Sequence, residues 1–296
     1  MSKVLLLGTR RSLLSRLQSQ WVADALIGAN VELKIIKTTG DDLSISLMKP
    51  DEPGLFVTAL RLALLAGEVD FIVHSLKDLP SAPHPELTLA AIPVREDCRD
   101  ILISKNNIPL DAIEVGGIIG TSSPRRMVAI KARNPQLIAS PIRGNIDLRI
   151  KKVRDGQFAG ALLAAAGLNR IGRSAEIAQY FDVEDILPAP AQGALGVECR
   201  SDDLAMINML SGIDHPLTRL TSTAERAVLR GLNAGCDLAV GSYAQYENGR
   251  LVLQAELGNL ESGKSQKITE SVALSSVNDL AAAENLGLDV AHRFVR

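Results

Sequence analysis

The sequence predicts an α/β protein that ends in a small α+β domain, and three observations carry that reading. Short apolar runs alternate with amphipathic segments over the first two thirds of the chain, which is the pattern of strands separated by helices and leads to parallel sheets. From about residue 216 the order changes to a helix, three strands and a helix. Asn248-Gly249 lies between two alternating runs, a strong signal for a tight antiparallel hairpin. A chain of 296 residues, 46% of them hydrophobic, has enough apolar surface for two or three domains.

KVLLLGT, VELKIIKT, VDFIVHS and GGIIGTS read as buried strands, short apolar runs of the length such a strand needs, with helix-like segments between several of them. After the first, Ser12 is placed to cap a helix whose Leu14, Leu17, Trp21 and Ala25 share one face. After GGIIGTS, Ser123 and Pro124 form an N-cap followed by a proline at the first helical position. The C-terminal part reads as helix TRLTSTAERAVLRGL, strands SYAQYE, RLVLQAELG and QKITESVAL, and helix VNDLAAAENLGLDVAHRF. Two strand–turn–helix units with arginines at their turns have the look of copies of one plan, a question the residues alone leave open.

The net charge of −2 hides an uneven distribution. Residues 121–173 hold eight arginines and three lysines against Asp147 and Asp155, a surplus of +9, while the remainder carries −11. Such a field concentrates anions at one part of a surface. Only three cysteines occur, Cys98, Cys199 and Cys236, too few and too scattered for a disulfide framework, so a reducing, cytoplasmic setting is expected. No run approaches the ~20 apolar residues of a membrane span, and the apolar run in MSKVLLLGTRRSLLSRLQ is too short for a signal peptide.

Open α/β sheets bind ligands beyond the carboxyl ends of their strands, where helix N-termini offer N–H donors. Three of those turns carry cations: Arg10 and Arg11 before Ser12, Arg125 and Arg126 after Ser123-Pro124, and Arg143-Gly144-Asn145 before Arg149. A cation at a helix N-terminus loses about 0.3–1 kcal/mol against the dipole. One such turn means little, but three favour an anion site over a solvated basic face. A fourth turn, HSLKDLP, ends a strand in Ser75, Lys77 and Asp78. Alone it reads as a cap with a surface ion pair; among arginines, Asp78 is the one acid placed to stabilise a cation or handle a proton.

The four histidines have no metal-ligand spacing, and neither GxxxxGK[ST] nor GxGxxG is present. Phe158 is the only aromatic residue in the basic stretch, which argues against base stacking and nucleic acid.

Taken in order, TRRS (9–12), GLF (54–56), HSLKDLP (74–80), REDCRD (95–100), GTSSPRR (120–126), RGNIDLR (143–149), LAAAGLNRIG (163–172), PAPAQGALGVECR (188–200), TAERA (223–227) and GCDLAVGSYA (235–244) resemble the porphobilinogen deaminase family nearly end to end. The resemblance implies two doubly wound α/β domains of the type II periplasmic-binding-protein kind and a third α+β domain. The first spans 1–93 with a returning segment 194–211, the second 94–193 and the third 216–296, with a hinge at the crossover. It also implies a dipyrromethane cofactor held by Cys236 through a thioether, in the glycine-bounded loop that begins at Gly235. Four porphobilinogen molecules then add to it head to tail with loss of ammonia, and the linear tetrapyrrole is hydrolysed away. Each ring carries an acetate and a propionate, which accounts for many arginines around one cleft.

By the same carry-over Asp78 is the catalytic aspartate, stabilising the azafulvenium cation or handling a proton. Lys77, Asp78, Thr121, Ser122, Ser123, Arg125, Arg126, Arg143, Gly144 and Gln192 hold the cofactor. Arg10, Ser12, Phe56, Arg143, Arg149 and Arg170 hold substrate. No metal, nucleic acid or membrane partner is implied, and a monomer is expected. The chain departs from the family pattern at Pro53, where a lysine is common and Lys49 stands nearby, and at Ala239, often a proline; the lid segment 42–53 is where the carry-over is least direct. A non-catalytic anion-binding module is the rival reading, and Cys236 discriminates the two.

Overall fold

A computed structural model describes residues 3–37, 55–233 and 238–295. The chain forms two compact units, one of residues 1–95 with 194–219 and the other of 96–193 with 220–296. Among the described residues no helix is long and apolar enough to cross a membrane.

The first unit is built on β1 (Val4–Thr9), β2 (Asn30–Ile35), β3 (Phe71–Ser75), β4 (Leu87–Ala91) and β10 (Leu195–Arg200), in the order β2-β1-β3-β10-β4. Helices α1 (Leu13–Ala25), α2 (Leu55–Leu65) and α6 (Leu204–Ser211) cover it. Val22 of α1 and Met206 and Leu210 of α6 pack with Leu5, Leu7, Phe71, Val73 and Val197. Leu60 and Leu64 of α2 pack with Ile72 in a separate cluster. Because strand side chains alternate, the neighbours Phe71 and Ile72 serve opposite faces, and the run must be apolar throughout.

The second unit repeats this plan. Strands β5 (Asp100–Ser104), β6 (Ile118–Gly120), β7 (Ile138–Ser140), β8 (Gly160–Ala164) and β9 (Gln179–Tyr180) lie in the order β7-β6-β8-β5-β9. Helices α3 (Pro124–Arg133), α4 (Ile146–Arg154) and α5 (Ala165–Arg170) join them. In each five-stranded sheet four strands run in one direction, and the strand fourth in the order runs against both of its neighbours. The expected parallel sheets are therefore mixed. The reversed strand, β10 in one sheet and β5 in the other, is not the product of a strand–helix–strand crossover, so nothing constrains it to run parallel.

The C-terminal part is a three-stranded antiparallel sheet of β11 (Ala239–Glu247), β12 (Arg250–Gly258) and β13 (Ser265–Ala273). It shares a core with α7 (Pro216–Gly231) and α8 (Leu280–Phe294) through Val228, Leu251, Leu253, Leu286 and Val290. The hairpin turns on Asn248 and Gly249 at φ 51° and 75°, the left-handed pair that a two-residue turn between twisted strands requires.

One helix face differs from its reading. In α1 the buried residues are Gln18, Ser19, Val22 and Ala23, while Trp21 is 48% exposed and Leu17 36%. Gln18 Nε2 donates to Ser75 Oγ at 2.9 Å and Ser19 Oγ to Thr9 Oγ1 at 2.8 Å. Near the carboxyl ends of β1 and β3 the inner face of α1 is polar, so apolar periodicity points to the wrong side.

Candidate active site

In the first unit the turns singled out from the sequence sit where the strands end. Ser12 caps α1, its Oγ accepting from Ser15 N at 3.2 Å. Arg10 is half-buried and Arg11 exposed in the turn before it. Ser75 closes β3 and receives Gln18, after which one tight helical turn, Leu76–Asp78, projects the acid. That turn is anchored by the buried Leu76, whose N–H donates to the Ala194 carbonyl at 2.9 Å. Lys77 is half-buried and Asp78 exposed.

The same sheet carries an ion-pair cluster. Glu198 of β10, 3% exposed, takes both Nε (3.0 Å) and Nη2 (2.6 Å) of Arg61 on α2. His74 Nε2 lies 3.1 Å from Glu198 Oε2 as a close contact without hydrogen-bond alignment. Burial pushes the Glu198 carboxyl upward, but His74 and the Arg61 fork outweigh it and hold the group at about 2.

In the second unit, β6 leads into Thr121, Ser122 and Ser123. Thr121 is buried, its N–H donates to Ser140 O at 2.8 Å, and its Oγ1 accepts from Ser123 N at 3.2 Å. Ser122 Oγ donates to Ile142 O at 3.1 Å. Pro124 opens α3, and Arg125 and Arg126 follow in its first turn, buried at 6% and 7% exposure. Both meet Asp100 at the start of β5, which is fully buried. Arg125 Nη1 donates to Oδ2 at 2.6 Å and Arg126 Nη2 to Oδ1 at 2.7 Å. Gln192 Nε2 also donates to Oδ1, at 2.8 Å. Burial raises the Asp100 carboxyl, but the two guanidiniums overcome that and hold it far below the usual carboxylate range.

Two further sets lie in this unit. Gly144 at φ +109° precedes Asn145, which caps α4 through Leu148 N at 2.9 Å, and Arg149 Nε donates back to Gly144 O at 2.8 Å. Arg143 is exposed beside them. Arg170, at the end of α5, donates to Gly193 O at 2.7 Å, which places it next to Gln192 in the chain; burial lowers its pKa while Glu96 acts the other way. The structure therefore gathers Arg125, Arg126 and Gln192 around Asp100, and holds Arg143, Gly144 and Arg149 as a local set. Gly235, Cys236, the Phe56 side chain, Lys49 and the segment 42–53 with Pro53 lie outside the described residues.

Residues 5–208 match the family model for porphobilinogen deaminase, dipyromethane cofactor binding domain, and 219–296 match the porphobilinogen deaminase C-terminal domain. The chain belongs to the porphobilinogen deaminase family. It is 42% identical to a porphobilinogen deaminase of Thermobifida fusca over 98% of this chain and 92% of that one. It is 48% identical to porphobilinogen deaminase 1 of Streptomyces coelicolor over 82% and 78%. A porphobilinogen deaminase of Shouchella clausii is 40% identical over 96% of this chain and 95% of its own. Among solved structures, the periplasmic VFT2 domain of Bordetella pertussis BvgS aligns with 71% of this chain and 86% of its own at 16% identity and TM-score 0.44.

The family domain's description names a dipyromethane cofactor; the acetate and propionate groups that the resemblance implies for it are anions, and the Asp100 cluster suits such a group. Two guanidiniums oppose one carboxylate, which leaves a net positive charge in a buried place, a costly arrangement until an anion joins it. Arg125 Nε and Arg126 Nε are also buried without an acceptor, and an unmet buried donor costs about 1–3 kcal/mol.

Asp100, Glu198 and Glu225 are what sequence reasoning missed. Glu225 is fully buried and accepts from Ala191 N at 2.6 Å and Ala244 N at 3.0 Å. Each stands inside a recognised stretch, and Asp100 and Glu198 interrupt apolar strand runs (DILIS, LGVECR). An acid in a buried strand requires a partner. That much was available as a signal; which cation supplies it was not.

Proposed function

We propose that this chain is a transferase of tetrapyrrole synthesis. It condenses four porphobilinogen molecules head to tail on a dipyrromethane joined to Cys236 through a thioether, releases ammonia at each addition, and hydrolyses off hydroxymethylbilane. The observation that carries the reading is the match to porphobilinogen deaminase models through both 5–208 and 219–296. When bound, the dipyrromethane supplies the pyrrole carbon from which growth starts. Arg125 and Arg126 with Gln192, Thr121, Ser122 and Ser123 hold its carboxylates, and Arg143, Gly144 and Lys77 support them. Arg10, Ser12, Arg149 and Arg170 take the acetate and propionate of incoming rings, with Phe56 as a further substrate-binding residue. Each charged hydrogen bond contributes about 1.5–3 kcal/mol net.

Asp78, exposed on the turn after β3, accepts the pyrrole N–H bonds of porphobilinogen and stabilises the positive charge that develops there as ammonia departs. Cys236 is the thiol for attachment, whereas burial lifts the Cys199 thiol to about 11 and keeps it protonated. The working form is a cytoplasmic monomer of three domains divided at 1–93 with 194–211, 94–193 and 216–296.

Purified protein supplied with porphobilinogen should release ammonia, and its intact mass should exceed that of the polypeptide by two pyrrole units. Cys236→Ala should lose that increment. Asp78→Asn should keep it and lose about 100- to 1,000-fold in turnover, the range for removal of one preorganised electrostatic group. An unmodified chain that releases no ammonia returns the protein to the class of anion-binding modules.

A further inference from the structure

Among the described residues, the two buried carboxylates on sheet strands, Glu198 and Asp100, are held in different ways. Arg61 meets Glu198 with its Nε and Nη2 edge, the fork that satisfies guanidinium and carboxylate together. Arg125 and Arg126 each give Asp100 only a terminal nitrogen. Their second bonds from those ends go to backbone, Arg125 Nη1 to Leu187 O at 2.7 Å and Arg126 Nη1 to Leu162 O at 3.0 Å. Both Nε groups remain buried without an acceptor. An arginine placed only to neutralise Asp100 would turn its fork to it, as Arg61 does.

Gln192 locks the arrangement, since its Nε2 donates to Asp100 Oδ1 and to Cys98 O, each at 2.8 Å. Its own position follows from Ala191, held at φ +60° by the Glu225 carboxylate. A non-glycine residue in that region persists only where its surroundings over-determine it. Asp100 also pairs with Ala164, the last residue of β8, so it stands at the carboxyl edge of the sheet where α3 begins. Glu198 pairs with Ile72, three residues before β3 ends.

We propose that Asp100 is a positioning residue for the family reaction. Its carboxylate, shared end-on between Arg125 and Arg126, aims both guanidiniums and cancels one of their two charges, so the cluster presents one surplus cation to one carboxylate of cofactor or substrate. The inference rests on the function proposed above and adds to it a residue that touches no substrate.

The test is a mutant cycle on the holoenzyme: wild type, Asp100→Asn, Arg126→Gln and the double variant, each measured for kcat/KM with porphobilinogen per chain carrying the two-pyrrole increment, and for Tm. If Asp100 acts through the arginines, each single change lowers kcat/KM about ten- to a hundredfold, the range that outer partners of a site command. The double variant is then no worse than the worse single one, because coupled residues do not add. Losses that multiply, or wild-type kcat/KM in Asp100→Asn, overturn the proposal. Where Asp100→Asn does not fold, Asp100→Glu decides, since it keeps the charge and displaces the carboxylate that Arg125 and Arg126 share. A tenfold or larger loss in kcat/KM at wild-type Tm supports the positioning role, and wild-type kcat/KM overturns it. A wild-type protein that releases no ammonia removes the functional reading itself, whereas an active wild type with multiplying losses removes only the role of Asp100.

Discussion

At Gly193 the backbone adopts φ +90°, and a Cβ added there would lie 2.3 Å from the Glu96 carbonyl oxygen. The same residue's carbonyl accepts from Arg170 Nη2 at 2.7 Å and Glu96 N at 3.2 Å. Two independent reasons, a left-handed dihedral and a backbone neighbour that cannot move aside, therefore require glycine next to Gln192. Gly193→Ala should cost at least about 1–3 kcal/mol, the usual strain of such a dihedral in a residue with a Cβ. Urea unfolding measures it, and a variant as stable as wild type defeats the argument. The sequence marks this stretch through PAPAQG and marks Asp78 through HSLKDLP, because both are short turns with unusual residues. It does not mark Asp100, whose only local sign is an acid ahead of Ile-Leu-Ile; the arginines that define it lie 25 and 26 positions away.

Among the elements, the C-terminal strands and helices are all legible in the sequence, although β11 begins three residues before the predicted SYAQYE and the last helix three residues after the predicted Val277. Antiparallel pairing joins neighbours in sequence there, and Asn248-Gly249 fixes the register of β11 on β12. Helix α1 is the counterexample: its inner face carries Gln18 and Ser19, which hydrogen-bond Ser75 and Thr9 at the strand ends, and these buried polar contacts invert the amphipathic pattern. Gly287 in α8 shows packing overruling propensity. In an exposed helix Gly→Ala stabilises by about 1 kcal/mol. Here the new methyl would lie 2.3 Å from Ala224 O and 2.6 Å from Ala227 Cβ, both on α7. Gly287→Ala should therefore destabilise the protein, with overpacking costing about 1–3 kcal/mol. A raised Tm in that variant would show that the helices separate at little cost.

Across the whole molecule, the question the residues left open is answered by topology. Two sheets share one strand order and one pattern of directions, although no repeat of residues announces it. Each places a buried acid on its reversed strand, Glu198 on β10 and Asp100 on β5. The two acids give the protein a defined response to acid. Glu198 is held at about 2 against an ordinary value of 4.5, so its contribution is fully present above the ordinary value and is lost as pH falls toward the depressed one. Glu198→Gln removes that carboxylate and leaves Arg61 facing an amide, a break in a buried pair that costs about 3–5 kcal/mol near neutrality. At about pH 3 the wild-type protein has already forfeited part of the same stabilisation, because its unfolded chain takes up a proton that the folded Glu198 resists. The gap between variant and wild type in urea unfolding free energy should therefore be wide at pH 7 and narrower at about pH 3, with Asp100 common to both proteins. A gap of constant width would mean that the Arg61 fork and His74 do not hold this carboxylate in its charged form.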